Sequence, residues 1–318
     1  MIVSKTYTSV FHTMRSKNSE KIRTLAEAAK LIHDGDTITF SGISLSAHPV
    51  ALAHEIIRQR KRKLEIAGSG AWHVNNLLVG AGCVNRMAIV ADSPEIVGVA
   101  PAITRAVENR HLTVEDYSYY AMACRFAAAA MGVPFLPTKS MLGSDMLRHT
   151  WLEKGKKFRI MKCPFSGEKV VIVPALKPDV AVIHAHHADE EGNVQMQGPT
   201  GLVDEQARAS NKVIVTVEKI VSKKVTQRRP ELTVIPSFIV DVIAHVPYGA
   251  HPTSLYDHYD YDITHLTYAL QQSRDEADFK AYLDEFVHGV DNHADYLERI
   301  GGSKKLLQLR ANLRRRRK

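Results

Sequence analysis

With 318 residues, 45% of them hydrophobic, the chain is long enough to bury a core as one large domain or two smaller ones. No apolar run approaches the roughly 18 residues of a membrane span, and the opening MIVSKTYTSVFHTMRSKNSEK lacks an apolar stretch followed by a small-residue cleavage site. The formal charge is +8, and Cys83, Cys124 and Cys163 are isolated with no C-x-x-C, which favours a reducing, cytoplasmic setting and excludes a zinc ribbon.

The first 23 residues read as an N-terminal arm. Thr24 and Glu27 then form a capping-box pattern ahead of LAEAAKLIHD, and an Asp34-Gly35-Asp36 turn leads into a strand, Thr37–Phe40. The strand breaks into Ser41-Gly42-Ile43-Ser44 before Pro49 opens the helical run VALAHEIIRQR. Small residues between a strand and a helix let backbone N–H groups approach an anionic ligand, although the same pattern serves as an ordinary joint. Leu64–Ala67 is the next strand, and Gly68-Ser69-Gly70-Ala71-Trp72-His73 repeats the strand–loop–helix pattern. Further strands are expected at Arg86–Ala91, Val170–Pro174, Val180–His184 and Val213–Val217, each a short aliphatic run of the kind buried on both faces of a parallel sheet. The Ala-rich stretch Tyr117–Gly132 reads as a helix stopped by Gly132 and Pro134. The expected fold is α/β: an open, largely parallel sheet with helices on both faces and a charged helical appendage from about residue 270.

Two such loops at neighbouring strand ends converge at the carboxyl edge of a parallel sheet, where open α/β folds bind ligands. The candidate ligand loop is therefore Ser41, Gly42, Ile43, Gly68, Ser69 and Gly70. Glu115, in LTVEDYSYY, lies at a third strand-to-helix boundary, either as a catalytic carboxylate or as a helix-start residue complementing the macrodipole. His184, His186 and His187 precede a Gly192-Asn193 turn, and strand alternation points His184 and His186 away from His187, so no metal site is assigned. YDHYDYD, residues 256–262, reads as a structured surface loop without calcium-loop spacing. No serine sits in a G-x-S-x-G elbow and no cysteine has a neighbouring base. The basic runs RQRKRK and RANLRRRRK carry no interleaved aromatics, which disfavours nucleic acid and leaves solvated charge or steering of an anionic molecule.

The stretch from Asp34 to Pro49 resembles the signature of family I CoA-transferases: Asp-Gly, two free positions, three apolar residues, Gly-Gly-Phe, three free positions, Gly, one free position, Pro. Asp34-Gly35, Ile38, Phe40, Gly42 and Pro49 fall in register, whereas Thr39, Ser41, Ile43 and Ala47 depart from it. LTVEDYS, GVPFLPTKSMLGSD, GEKVVIVPALKPDVAVIHAHHADEEGNV and IVDVIAHVPYGAHPTSLYDHYDYD are similar to the α (A) subunit of glutaconate CoA-transferase, in the same order from about residue 24 to 310. The resemblance implies a domain over 24–310, a basic tail over 311–318, and coenzyme A as a substrate with no permanently bound cofactor. It also implies a β-subunit partner, in an α2β2 assembly or a multiple of it, that supplies the glutamate nucleophile, with an acyl-CoA and a small carboxylate as reactants. In that scheme the Ser41–Ile43 loop presents N–H groups to the oxyanion, and Ser41 for Gly alters the acyl pocket. Some family members are CoA-dependent hydrolases that open steroid-derived rings, in which Glu115 would act as base. A basic binding protein working through its Arg-rich tail is the non-enzymatic alternative.

Overall fold

Helix α1 (Leu25–Lys30) begins with the expected capping box: Thr24 accepts the Glu27 N–H, and the Glu27 carboxylate accepts the Thr24 N–H. This computed structural model describes residues 21–90, 93, 98–148, 150 and 156–316. Nearly all of the N-terminal arm lies outside the described residues. Its end, at Lys21 and Arg23, exchanges backbone hydrogen bonds with Ile243.

The main sheet is built from β1 (Thr37–Phe40), β2 (Leu64–Gly68), β3 (Val84–Ile89), β4 (Thr113–Asp116), β8 (Val180–Asp189), β10 (Lys212–Val221) and β12 (Val242–His245), all parallel. Their spatial order is β4-β3-β2-β1-β8-β10-β12. Chain order runs outward in both directions from the β1–β8 pair, so that pair is the topological switch point. A short β9 (Val194–Gln195) and β11 (Thr233–Ile235) add an antiparallel flap to the far half of β8.

Side-chain alternation sorts the core into two layers. Ile38, Phe40, Ile66, Met87, Ile89, Val180 and Val182 face α1, α2 (Val50–Arg58), α3 (Trp72–Gly80) and α4 (Pro101–Glu108). The opposite layer holds α5 (Tyr119–Ala130) and α6 (Val203–Ala209), against Ala67 and Ala88 and against Ile183 and Val215.

The expected strand at Val170–Pro174 forms, as β7 (Lys169–Pro174), but outside the main sheet. It is the centre of a separate antiparallel sheet between β5 (Phe135–Thr138) and β6 (Arg159–Lys162). The reason is one-sided burial: Val171 and Val173 are buried while their neighbours are not, as suits an antiparallel strand with a wet face. Strand β3 ends at Ile89, and Ala91 lies outside the described residues. The expected strand at Val180–His184 continues to Asp189, because β10 pairs along its whole length.

After α7 (Lys223–Arg228), the appendage comprises α8 (Ile263–Gln272), α9 (Glu276–Leu283), α10 (His293–Arg299) and α11 (Gly302–Arg316). Phe279, Tyr282, Phe286 and Tyr296 enter the same core cluster as β1 and β2. Helix α11 runs through most of the segment read as a basic tail. Residues 256–262 are the expected surface loop only at Tyr256 and Asp257, which are exposed. Tyr259, Asp260 and Asp262 are buried, with Asp262 held by His251 at 3.2 Å and Lys305 at 2.8 Å. Among the described residues, no helix is long and apolar enough to cross a membrane.

Candidate active-site crevice at the β1–β8 switch point

Ser41 follows β1 and spans the switch. Its N–H donates to the Val182 carbonyl at 2.9 Å, its Oγ donates to the Ala47 carbonyl at 2.8 Å, and Oγ accepts the His184 N–H at 2.9 Å. The serine hydroxyl is thus consumed in stitching β1 to β8 and closing the loop. It is buried, with its hydroxyl turned to its own loop and to β8.

The Ile43 N–H donates to the Ser46 carbonyl, so it too is unavailable to a ligand. Of the three expected donors, only the Gly42 N–H finds no acceptor among the described residues, and Gly42 is half-buried at the crevice. Its φ of +145° suits glycine. A Cβ there would lie 2.6 Å from the His48 ring and 3.4 Å from Ala71 Cα, so packing against the chain's own atoms by itself demands glycine at 42.

The second loop meets the first. A Cβ on Gly70 would stand 2.4 Å from the Gly42 carbonyl oxygen, and one on Gly68 would stand 2.9 Å from Thr39 Oγ1. Ser69, between them, is half-buried. Two further residues at the mouth were not foreseen. The Cβ direction of Gly201 lies 3.9 Å from both the Gly42 oxygen and the Tyr119 hydroxyl, and 4.0 Å from Ile43 Cβ. The GPTG turn holding Gly201 carries a legible turn signal, but nothing local places it or Tyr119 beside residue 42. Burial, and after it the Glu205 charge, raises the Tyr119 phenol above its usual range and keeps the hydroxyl protonated.

Glu115 is not brought to these loops. It lies on β4, three strands from β1, with 0% exposure, and its Oε1 is 2.5 Å from Lys157 Nζ. The Lys157 ammonium also sits over the Tyr117 ring at 5.3 Å.

The three histidines of β8 are held separately. His184 Nδ1 meets Thr216 Oγ1 at 2.8 Å, and its Nε2 meets Glu218 Oε1 at 2.9 Å. His186 Nε2 meets the Tyr256 carbonyl at 2.7 Å, while His187 points to the other face and is half-buried. Glu218 also accepts the Tyr259 hydroxyl at 2.8 Å and the Tyr248 N–H at 2.7 Å. Burial pushes the Glu218 carboxyl up, but the hydrogen bonds from His184, His258 and Tyr248 outweigh it and hold the group well below the usual range. Among the described residues, no group of three or more His, Cys, Asp or Glu is arranged to hold a metal ion.

A family model described as coenzyme A transferase matches residues 22–245. The A-type subunit of glutaconate CoA-transferase from Acidaminococcus fermentans is 34% identical over 89% of this chain and 93% of its own length. The solved structure of glutaconate coenzyme A-transferase from that organism, 35% identical, superposes with a TM-score of 0.85 over 91% of this chain and 95% of the solved one. The A-type subunit of 3-oxoadipate CoA-transferase from Pseudomonas knackmussii is 32% identical over 89% of this chain and 99% of its length. A longer uncharacterised protein of Archaeoglobus fulgidus is 36% identical over 92% of this chain, and this chain covers 65% of it. The doubly wound sheet and these matches agree: the chain belongs to the coenzyme A-transferase family, as an enzyme chain of the A type.

Proposed function

We propose that this chain is the α subunit of a CoA-transferase that moves CoA between an acyl-CoA and a free mono- or dicarboxylate, in the cytoplasm, with a β subunit supplying the nucleophilic glutamate. The observation that carries this reading is the Gly42 N–H, left without an acceptor at the carboxyl edge of the switch-point strand. The β-subunit carboxylate attacks the acyl-CoA carbonyl, and the tetrahedral oxyanion collapses to an acyl–glutamyl anhydride with release of the CoA thiolate. The thiolate then attacks the glutamyl carbonyl, releasing the first carboxylate and leaving a glutamyl-CoA thioester. The acceptor carboxylate resolves that thioester by the reverse sequence, and no net proton is gained or lost. This chain contributes the Gly42 N–H to the oxyanion, a donor of the kind worth about 3 kcal/mol in the transition state. Ser69, Gly201 and Tyr119 wall the acyl group.

The relatives' names differ in the acyl group they specify, and we infer the class of substrate only. The hydrolytic alternative asks Glu115 to act as a base, and its enclosure with Lys157 argues against that role in this conformation. The test is acyl exchange between acyl-CoA and a panel of carboxylates, with this chain alone, its β partner alone, and the reconstituted α2β2 pair. Transfer by the pair only, with a hydroxylamine-sensitive thioester on the β glutamate, is the expected result. Transfer by this chain alone, or water as sole acceptor, would refute it.

A further inference from the structure

His48 is 0% exposed, and neither ring nitrogen makes a well-aligned hydrogen bond among the described residues, although the Ser44 and Gly70 carbonyls lie close to the ring. The family signature leaves this position free. Yet the ring stands where a side chain on residue 42 would be, with Cδ2 2.6 Å and Nε2 3.1 Å from that Cβ direction. Trp72 backs it edge-on, at 6.0 Å between ring centroids and 79° between planes, and the Trp72 indole N–H holds the Ser44 carbonyl at 2.8 Å. Ser44 and Ala47, on either side of the loop's tip, have φ of +54° and +59°, a region non-glycine residues enter only when their surroundings impose it. The loop is therefore held in a strained shape by a ring wedged beneath it.

We propose that His48 is a positioning residue for acyl transfer: its ring, by filling the space beside Gly42, fixes the direction in which the Gly42 N–H points. The proposal rests on the reading that this N–H serves the oxyanion. It assigns the work to the shape of the ring and none to its nitrogens. Burial lowers the imidazole pKa to about 4, with the nearby Ser44 and Gly70 carbonyls opposing part of that shift, so the ring is neutral at working pH. Trp72 packs on it, and His73, the titratable group on the same helix, packs on Trp72 and is held neutral by burial in the same way.

The test uses the reconstituted pair with His48→Ala and His48→Phe. His48→Ala is expected to lower kcat by at least about tenfold with KM for acyl-CoA within about twofold, the signature of a misaimed donor. His48→Phe keeps the ring and is expected to hold kcat within about threefold. A second readout needs no turnover. The sequence has two tryptophans, so in a Trp151→Phe background emission reports Trp72 alone. That emission should shift in His48→Ala, and its change near pH 4 should vanish in His48→Phe. A wild-type kcat in His48→Ala, an equal defect in His48→Phe, or unaltered Trp72 emission in His48→Ala would each overturn the proposal. If the wild-type pair moves no CoA, the transfer reading falls and takes the kinetic claim with it, whatever the emission does.

Discussion

His184 and His48 are both fully buried, beside Ser41 and Gly42 of the loop that follows β1, and they differ in what their ring nitrogens find. His184 is bonded at both nitrogens, to Thr216 and Glu218, and Glu218 is in turn bonded by Tyr259 and Tyr248. His48, with His54 and His73 nearby in the core, makes a well-aligned hydrogen bond at no ring nitrogen among the described residues. The first arrangement is a satisfied polar network, in which each member is destabilised if another is lost. The second uses imidazole as a neutral wedge, exchangeable for another ring of similar size. Burial of the same residue type thus implies different sensitivities to mutation and to acid.

The largest effect should come from breaking the network. Glu218→Ala leaves His184, Tyr259 and the Tyr248 N–H without their acceptor, at a cost of about 3–5 kcal/mol, or roughly 10 °C in melting temperature. A melt within about 2 °C of wild type would erase the distinction between the two histidine sets. Gly42→Val comes next: collision with His48 and a φ of +145° should lower turnover by about a hundredfold or more. Unlike a change to an ordinary surface loop, it should also lower the melting temperature. Thermal melts beside steady-state kinetics separate the two losses.

Acid should single out the rings that burial keeps neutral. In the unfolded chain a histidine takes up its proton near pH 6.5, whereas burial delays this to about 4 for His48 and for His186. Between those values the unfolded state binds more protons, so stability is full above pH 6.5 and falls as the pH drops towards 4. Each fully shifted ring contributes at most about 3 kcal/mol to that loss. Glu218, whose carboxyl is depressed, adds its own loss only below about pH 4.5. Urea titrations at pH 7, 5.5 and 4.5 should show this fall, and His48→Phe should recover about one ring's share at pH 4.5. An identical acid slope in wild type and variant would mean His48 is hydrated in the fold. The smallest effect is expected at the mouth, where Tyr119→Phe should raise KM a few-fold and leave kcat unchanged. A fall in kcat instead would place the hydroxyl on the reacting atoms.

The parts legible from sequence were those whose cause is local. Thr37–Phe40, Leu64–Gly68 and Val213–Val217 are aliphatic runs buried on both faces, and such runs announce strands. Strand β4 (TVED) and the exposed β6 (RIMK) carry no such pattern and form because a neighbour pairs with them. At the crevice, glycine and serine were readable as loop residues, but their duties were not. Ser41 acts through His184, 143 positions away, and Gly201 reaches residue 42 from the other half of the chain. Glu115 was readable as a catalytic carboxylate or a helix-start residue, and neither reading foresaw its place within β4 or its pairing with Lys157 from a distant segment.

The aromatic residues Phe279, Tyr282 and Tyr296 complete the core above β1 and β2, although they follow the family match, which ends at residue 245. On a ribosome adding about 5–20 residues per second, the early strands must wait roughly ten to fifty seconds for those rings to be made. During that interval the layer that holds Ile38, Phe40 and Ile66 is closed by the first four helices alone. The nascent chain therefore passes through a stage in which the part of that layer awaiting Phe279, Tyr282 and Tyr296 is available to holdase chaperones. A transcript cut before the last helices would release a product fixed at that stage, bound for degradation or aggregation.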